Sequence, residues 1–593
     1  MFTILTFLFF TGLVAFLSWY LTRNDDHESA TGYFLAGRSL TWVVIGGSLL
    51  LTNLSTEQLV GLNGGGFQHG MQLIAWEVLA AFAMVVMALV FLPRYLKGGV
   101  TTVPEFLEQR YDRTVRIVIS LLLLLSIVTN MLPFVLYSGA VFMREVFDVS
   151  SLVGDNQTAA LWLLVVSIGV VGSIYAIFGG LKAVAVSDTL NAVGLFSGGL
   201  MIPILALYQL GQGSITAGLG ELSSFSPHLL DPVGPEDGNV PLSTLATGMI
   251  CINVYYWCTN QAIVQRAFGA KSLKEGQKGV LFASSLKLLG PLYLVLPGII
   301  AFHMFGTVAY NGERMPIHSV DEEKSVVVIQ LPKSELELDS KAEVDPTAKA
   351  SDEKFTNVEI PVEDASKYVG VTSKDKSYGR LVMATMPNWM IGFFCAVIFG
   401  AVLSSFNSGL NSATTLFSLD IFPALWGEAK DVTLVRAGKI FGIIIAILAI
   451  TAAPLIDGVG GGLFDTMKKL AALFNIPLLA ITITAIFSNR VTATGAKAAI
   501  ACGVLFYGYF GLYLNNHVFG VEMHWLHVAG LNFAVNVVVL VFVSLLGTAP
   551  FNPEPKPVEG LDVAPWTYAY LVSGLITVGI LATYLTLHWI ATR

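Results

Sequence analysis

The chain is poor in charged residues. Asp, Glu, Lys and Arg make up only 12% of its 593 residues, about half the share of a soluble domain. Hydrophobic residues make up 54%, and the mean hydropathy is +0.70. Because a soluble protein of this length needs charged side chains to cover its surface, the composition excludes a soluble enzyme and a nucleic-acid-binding protein.

Cysteine and the motifs of soluble catalysts are also scarce. There is no Walker motif, no HExxH, no GxSxG and no dinucleotide fingerprint in a plausible soluble domain. We therefore expect no enzymatic activity, no ATP-driven transport and no organic cofactor. The four cysteines lie inside apolar stretches without a CxxC pair, which favours small buried side chains over disulfides or metal ligands; they are Cys251, Cys258, Cys395 and Cys502.

Apolar runs of 18 or more residues recur along the chain, and each is long enough to cross a bilayer as a helix. They predict an all-α polytopic membrane protein rather than a barrel of short alternating strands. The first run has no basic region before it, so we interpret it as a retained helix and not as a signal peptide. The predicted fourteen spans are 2–22, 41–66, 71–93, 117–143, 159–178, 184–210, 243–264, 279–306, 388–422, 434–454, 463–487, 495–515, 524–547 and 565–590.

Basic residues mark alternate loops between these runs, and Arg144 is the main exception. The positive-inside rule places the marked loops in the cytoplasm. With fourteen crossings, both termini are then predicted to be extracytoplasmic. The membrane is predicted to be the cell (inner) membrane. The residues that mark the cytoplasmic set are Arg23, Arg38, Arg94, Lys97, Arg110, Arg113, Lys182, Arg266, Lys271, Lys274, Lys278, Lys430, Arg436, Arg490 and Lys556.

Two of the predicted outside loops are long. Residues 211–242 contain acidic residues and no Lys or Arg, and residues 307–387 contain 15 acidic and 10 basic residues. Within the second loop, residues 325–331 read as a strand, and residues 333–354 have the composition of a disordered segment. Long loops translocate regardless of charge, so these lysines do not contradict the predicted topology.

The second apolar run is interrupted near its middle. Five of the six residues from Asn53 to Gln58 are polar, and glycines lie on both sides. Such a segment is unfavourable against lipid, whereas an unwound helix lining a cavity accommodates it and frees carbonyl groups to bind a cation. The alternative is a buried helix with these groups bonded to its neighbours.

Other polar residues inside apolar runs are candidates for a transport pathway. Glu77 is a lone carboxylate, and residues 253–261 combine amides with three consecutive aromatic residues, which suits a sugar ring. Lys287 either pairs with a carboxylate, bonds a ligand, or snorkels to the cytoplasmic surface. Ser404 and Ser405 either bond the carbonyl four residues back or, facing the unwound segment, complete an all-oxygen site for Na⁺.

Several motifs resemble the sodium:solute symporter family, in particular its bacterial sodium/galactose (sodium/glucose-type) branch. The resemblance runs from about residue 30 to residue 500 and is specific. The motifs are Tyr33-Phe34-Leu35-Ala36-Gly37-Arg38-Ser39-Leu40, Asn53-x-Ser55-x-Glu57-Gln58, Val103-Pro104-Glu105-Phe106-Leu107, Tyr175-x-x-Phe178-Gly179-Gly180-Leu181, Asn253-x-Tyr255-Tyr256-Trp257, Gln265-Arg266, Lys287 and Ser404-Ser405-x-x-x-x-Leu410-Asn411-Ser412.

The resemblance implies an amino-acid/sodium-symporter type fold of two inverted five-helix repeats with flanking helices. The first repeat would be 41–211 and the second 243–487, the latter interrupted by the 307–387 insertion. The remaining parts would be an extra helix and loop at 1–40, the acidic loop 212–242 and extra helices at 488–593.

The resemblance also implies roles for individual residues. Gln58, Glu77, Asn253 and Lys287 match the residues that bind the sugar hydroxyls in the family. Tyr256 matches the aromatic residue that stacks on the sugar as an inner gate. Sodium would bind the carbonyls of Leu51, Leu54 and Ala401 and the hydroxyls of Ser404 and Ser405, and Asp188 matches an acidic residue on the sodium exit path.

Two positions depart from the family pattern: Ala80 replaces a serine of the sugar site, and Lys468 replaces a glutamine. Lys468 either faces the substrate, which would favour an acidic or sulfated sugar, or pairs with Asp465 one turn earlier. We expect a sodium-coupled importer of a hexose that works by alternating access. An amino-acid or organic-anion symporter of the same family is disfavoured, because Glu77 would repel an anionic substrate and the aromatic face of Tyr255-Tyr256-Trp257 suits a neutral ring. A solute sensor would need a cytoplasmic signalling domain, which we do not find.

Overall fold

The computed structural model describes residues 2–147, 149–154, 156–225, 227–236, 238–332, 355–457, 463–547 and 560–592. These residues are mostly helical. The helices are α1 Phe2–Thr22, α2 Ala30–Leu35, α3 Trp42–Asn53, α4 Thr56–His69, α5 Ala75–Val86, α6 Leu92–Lys97, α7 Val103–Arg110, α8 Arg113–Ser126, α9 Leu132–Phe147, α10 Val149–Leu152, α11 Gln157–Leu210, α12 Ile215–Phe225, α13 Gly248–Cys258, α14 Gln261–Phe268, α15 Leu273–Lys287, α16 Leu296–Phe305, α17 Ser377–Thr385, α18 Asn388–Leu416, α19 Phe422–Trp426, α20 Asp431–Ala452, α21 Leu463–Phe487, α22 Ala493–Phe506, α23 Trp525–Leu545 and α24 Ala569–Ala591.

By length and apolar composition, 10 helices of the described chain could cross a membrane, or 11 if the pair Leu273–Lys287 and Pro291–Phe305, bent by 48°, is one span. The fourteen crossings therefore stay a prediction. Part of the difference arises because two continuous helical stretches are each counted once: Thr56–Lys97, of 42 residues, and α11, of 54 residues, far more than the ~20 residues that one crossing needs. The seventh predicted span is not counted, because it is broken into two short helices, α13 and α14. Helix α11 shows the effect most clearly. It covers both predicted spans 159–178 and 184–210.

Helix α11 is broken at Gly180, where the backbone takes φ 61° and ψ −173°. Only glycine adopts this conformation readily. A side chain here would also lie 3.0 Å from the carbonyl oxygen of Tyr33. The hydroxyl of Tyr33 in turn donates to the carbonyl of Ile177 at 2.8 Å, so the bend is held against the segment that precedes α3.

Two other predicted spans are each split into two helices. The predicted break in the second span is present: α3 ends at Asn53, α4 begins at Thr56, and Leu54 has non-helical angles. The seventh span is also broken, at Thr259 and Asn260 between α13 and α14. The side chain of Asn260 accepts a hydrogen bond from the Ala262 N–H, which caps the second half.

Among the described residues, four π-helical segments lie between two helical parts: Met87–Phe91, Ile127–Met131, Pro291–Val295 and Phe417–Ile421. A fifth, Tyr507–Tyr513, ends α22. In each of the first four a proline stands six residues after the first π residue; these prolines are Pro93, Pro133, Pro297 and Pro423. Proline has no N–H and its ring clashes with the carbonyl four residues earlier. Widening the preceding turn relieves both problems and keeps the helix continuous.

The insertion after α16 contains an antiparallel sheet in the order β1–β2–β3–β4. The predicted strand is confirmed as β3, in which Val327 and Ile329 are fully buried at alternate positions. Residues 333–354, predicted to be disordered, lie outside the described residues. The strands are β1 Thr307–Tyr310, β2 Glu313–Asp321, β3 Val326–Pro332 and β4 Phe355–Pro361, and a separate hairpin pairs β5 His517–Val518 with β6 Val521–Glu522.

The chain after the sheet packs on the broken second span. A 3₁₀ segment, Val371–Lys376, lies against α4, and Lys374 Nζ donates to Gln68 Oε1 at 2.8 Å. Helix α17 follows and packs on α4 and α16. The insertion is therefore joined to the helices that carry the motifs.

We expect that the connection between β3 and β4 can be shortened. Pro332 and Phe355 are directly paired across the two strands, so a short Gly/Ser linker can replace residues 333–354 and close a hairpin. The variant should keep the thermal unfolding midpoint of the parent in detergent. Aggregated protein, or a midpoint lowered by many degrees, would show that 333–354 stabilises the fold.

Candidate functional site

A cavity lies where the breaks of the second and seventh spans meet α5, α8 and α21. Five predicted substrate ligands line it: Gln58, Glu77, Asn253, Tyr256 and Lys468. The sixth, Lys287, is fully buried and reaches the cavity wall through Glu77 and Asn53. Ala80, which departs from the family pattern, also lines the cavity.

The Glu77 carboxylate organises one wall of this cavity. Its Oε2 atom lies 2.7 Å from Lys287 Nζ, and both side chains are fully buried. Its Oε1 atom accepts a hydrogen bond from Gln58 Nε2 at 2.8 Å. Lys287 also donates to Asn53 Oδ1, so the wall is a continuous network of paired charges and amides. The snorkelling alternative for Lys287 is wrong.

An aromatic surface adjoins this wall. The rings of Tyr256 and Trp257 meet edge to face at a centroid distance of 5.3 Å. Lys287 Nζ lies 5.5 Å from the Trp257 ring centroid, and Lys468 Nζ lies 5.3 Å from that of Tyr256, both within cation–π range. Lys468 is thus at the cavity; the side chain of Asp465, its proposed alternative partner, lies outside the described residues.

The break between α3 and α4 redirects backbone hydrogen bonds. In a continuous helix the N–H groups of Ser55 and Gln58 would donate to the carbonyls of Leu51 and Leu54. Here Ser55 N donates to Asn53 O, and Gln58 N donates to Ser55 O. In the described structure the carbonyls of Leu51 and Leu54 therefore do not accept these helical hydrogen bonds, and their oxygen atoms are available to coordinate an ion.

Helix α18 faces this break with hydroxyl groups. Ser405 Oγ donates to the carbonyl of Thr52 at 3.0 Å, not to a carbonyl of its own helix. Ala401, Ser404 and Ser405 are all buried on α18. Because the described residues contain no group of three or more His, Cys, Asp and Glu side chains that could hold a metal, carbonyl and hydroxyl oxygens are what this region offers, and they suit a hard monovalent cation.

Asp188 belongs to a buried charged cluster beside these hydroxyls. Its Oδ2 atom accepts from Ser48 Oγ at 2.6 Å and lies 3.8 Å from Arg266 Nη2; the side chains of Asp188 and Arg266 are fully buried. Arg266 also donates to Ser48 and Ser408. The cluster ties α11, α14 and α18 to α3, next to the break.

Sequence reasoning missed several polar residues of the cavity. Asn53 and Glu57 belong to the interrupted segment but received no individual role. Asn130 and Asn475 are single amides in apolar runs, which a sequence does not distinguish from ordinary buried amides. These four residues, with Asn260, also line the cavity.

Known proteins match this chain over most of its length. The model of the sodium:solute symporter family matches residues 33–334 and 361–503. The chain is 38% identical over 582 residues to an uncharacterised symporter of Escherichia coli K12, YidK, covering 98% of this chain and 90% of that protein. It is 26% identical over 598 residues to the sodium/glucose cotransporter of Vibrio parahaemolyticus, covering 99% and 98%, and 27% identical over 578 residues to the sodium/myo-inositol cotransporter of Bos taurus, covering 91% and 73%.

The fold matches a solved structure of the predicted class. A Na⁺-coupled sialic acid symporter in a substrate-bound outward-open state superposes with a TM-score of 0.71 at 17% identity, covering 93% of this chain and 98% of that one. At this identity the likeness shows the fold alone. The predicted amino-acid/sodium-symporter type fold is confirmed.

The Glu77–Lys287 pair yields a prediction about stability. Lys287→Met alone leaves a buried carboxylate without its cation, so we expect a loss of roughly 3–5 kcal/mol. Glu77→Gln combined with Lys287→Met removes both charges and should recover most of that loss. Thermal unfolding of the two purified variants measures the difference. Equal unfolding midpoints for the single and double variants would contradict a coupled pair.

Proposed function

Because the family model matches most of the chain, this protein belongs to the sodium:solute symporter family, and from this we propose that it imports a sugar, a hexose such as galactose or glucose. It is a multi-pass secondary transporter, not an enzyme, and sodium is the ion coupled to its solute. The sugar, the inner-membrane location and the extracytoplasmic termini belong to the proposal.

The observation that carries the sugar assignment is the pairing of a polar wall with an aromatic surface. The Glu77 carboxylate, held by Lys287 and Gln58, offers oxygen acceptors and amide groups for vicinal hydroxyls. The Tyr256 ring offers a face for the C–H side of a pyranose. The names of two relatives, a sodium/glucose and a sodium/myo-inositol cotransporter, support a polyhydroxylated ring.

An acidic sugar is the second candidate, and Lys468 at the Tyr256 ring favours it. Against it, Glu57 lies close enough to Lys468 for an electrostatic attraction, so the positive charge of Lys468 is partly offset. The cavity then holds two cations and two carboxylates, Glu57 and Glu77, and no excess positive charge. This balance ranks a neutral hexose first.

The coupling follows from the hydrogen bonds at the helix break. Thr52 lines the cavity, and its carbonyl accepts from Ser405 on α18. A sodium ion bound by Leu51, Leu54, Ala401, Ser404 and Ser405 would fix α3 against α18 and order the sugar ligands that follow the break. Each ligand then raises the affinity for the other by the same factor. The membrane potential adds about 2.3 kcal/mol per charge per 100 mV toward inward release.

Uptake in proteoliposomes tests the function. The purified protein should accumulate labelled galactose or glucose under an inward sodium gradient and not under an equal potassium gradient. Amino acids and nucleobases serve as the control solutes. Sodium-driven accumulation of one of those, with no sugar uptake, would overturn the sugar assignment while leaving the family intact.

We expect Ser405→Ala to raise the sodium concentration needed for half-maximal uptake by several-fold, because the variant loses one oxygen ligand while the packing stays intact. Ser197→Ala is the matched control, since the Ser197 hydroxyl donates within its own helix and is exposed. Sodium titration of initial uptake rates measures the effect. An unchanged sodium dependence in Ser405→Ala would sink the proposed ion site.

Lys468→Gln decides between the two sugar classes. For a neutral substrate, glucuronate and sulfated hexoses should compete with labelled hexose no better in the parent than in the variant. If Lys468 selects an anion, acidic sugars should compete strongly in the parent and lose about tenfold in the variant, as expected for one charge-assisted hydrogen bond. Competition assays in the same vesicles supply both results.

A further inference from the structure

The cavity has a second polar wall, on which two buried acceptor oxygens lack hydrogen-bond donors among the described residues. On the first wall both Glu77 oxygens accept hydrogen bonds, from Gln58 and Lys287. The second wall is formed by the start of α4, the π segment Ile127–Met131 and α21. It presents the side chains of Glu57 and Asn130.

Asn130 lines this cavity and has a buried carbonyl oxygen without a donor in the described part of the chain. The side chain is only 6% exposed, and its Nδ2 atom donates to the carbonyl of Met467 at 3.2 Å. That bond fixes the amide, because turning it over would set Oδ1 against another oxygen. The Oδ1 atom is buried and accepts no hydrogen bond from any described residue.

Glu57 presents a second such oxygen. Successive helical residues point about 100° apart, so Glu57 and its neighbour Gln58 face different walls. Gln58 turns to Glu77, whereas the Glu57 carboxyl group interacts with the Ser55 side chain, with its own backbone N–H and, more weakly, with Lys468 on α21. Its Oε2 atom is buried, and no described group donates a hydrogen bond to it.

Buried acceptors without donors are unfavourable, and at a cavity surface a bound ligand can supply the missing donors. Here two such acceptors, one of them a carboxylate oxygen, belong to residues that line the same cavity. A hydroxyl group brings a donor to each. A ligand carboxylate or sulfate brings only acceptors and a charge that Glu57 repels.

We propose that Glu57 and Asn130 form a second hydroxyl-binding subsite, which accepts hydrogen bonds from the part of the substrate that faces away from the Glu77–Lys287 wall. The assignment rests on the proposed sugar function. The two residues then determine specificity: they select a ring with hydroxyl groups on both sides and discriminate against rings that carry a deoxy carbon or an acid group at the second wall.

The binding test uses galactose, glucose and their singly deoxygenated analogues. Binding is followed by intrinsic tryptophan fluorescence in sodium-containing detergent solution, because Trp76 and Trp257 line the cavity. The parent should bind one or two of the deoxy analogues about tenfold more weakly than the complete sugar. Asn130→Leu should bind the complete sugar about tenfold more weakly and no longer distinguish it from one of those analogues.

Asn63→Leu is the matched control. Asn63 is also a buried amide whose Nδ2 atom bonds a carbonyl, that of Leu59 at 2.8 Å, and its Oδ1 atom likewise has no donor among the described residues. It lies outside the cavity lining, so its variant should keep the discrimination of the parent. If both leucine variants fail to fold, the conservative Glu57→Gln, which replaces one carboxylate oxygen by an NH2 group, should still reduce discrimination at one hydroxyl.

The results of this binding test distinguish a failure of the proposed subsite from a failure of the proposed sugar function. If the parent binds a sugar and both Asn130→Leu and Glu57→Gln distinguish every deoxy analogue as the parent does, the subsite is wrong and the sugar function stands. If the solute that binds best among sugars, amino acids and nucleobases has no hydroxyl group, both proposals are wrong. Tighter binding of glucuronate than of glucose by the parent also overturns the subsite.

Discussion

Two opposite charges buried in the middle of the helices constrain the site more than any other contact. Glu77 and Lys287 are fully buried at 2.7 Å from one another, and a buried charge that loses its partner is strongly destabilising. The pair therefore holds α5 against α15. Through Gln58 and Asn53 it also holds both sides of the break between α3 and α4. The position of that break decides which side chains face the cavity.

The same break lies at both the proposed sodium site and the cavity. Because α3 ends at Asn53, the N–H groups of Ser55 and Gln58 donate to other carbonyls and not to those of Leu51 and Leu54. These two carbonyls are left available to the proposed cation. Starting α4 at Thr56 turns Glu57 and Gln58 toward the cavity. Thr52 belongs to both regions, since it lines the cavity and accepts from Ser405. We therefore propose that a change in one region alters the other, and that this contact is the physical basis of the proposed coupling.

Sequence reasoning succeeded where polar residues are dense and failed where they are single. The run from Asn53 to Gln58 predicts an interruption because lipid does not satisfy so many polar groups, and the structure has one there. Asn130 stands almost alone in an apolar run, so nothing in the sequence separates it from a buried structural amide. Strand β3 begins with four consecutive β-branched residues and was predicted, whereas its partners β1, β2 and β4 are mixed in composition. Long-range pairing, which no local pattern encodes, assembles them into one sheet.

The π segments have a consequence for sequence variation. Each holds one residue more than the α-helical turn it replaces, and one residue corresponds to about 100° of rotation. The faces before and after such a segment are therefore out of phase, and a helical wheel drawn across it assigns the wrong residues to lipid. Single-residue insertions and deletions are normally excluded from membrane helices. At the four segments that lie between two helical parts, the helix already contains an extra residue. A homologue that lacks this one residue would keep a regular α-helix there and present a different face to the cavity. Asn130 lies within the segment Ile127–Met131, so such a deletion would change which side chain stands at its place in the cavity wall.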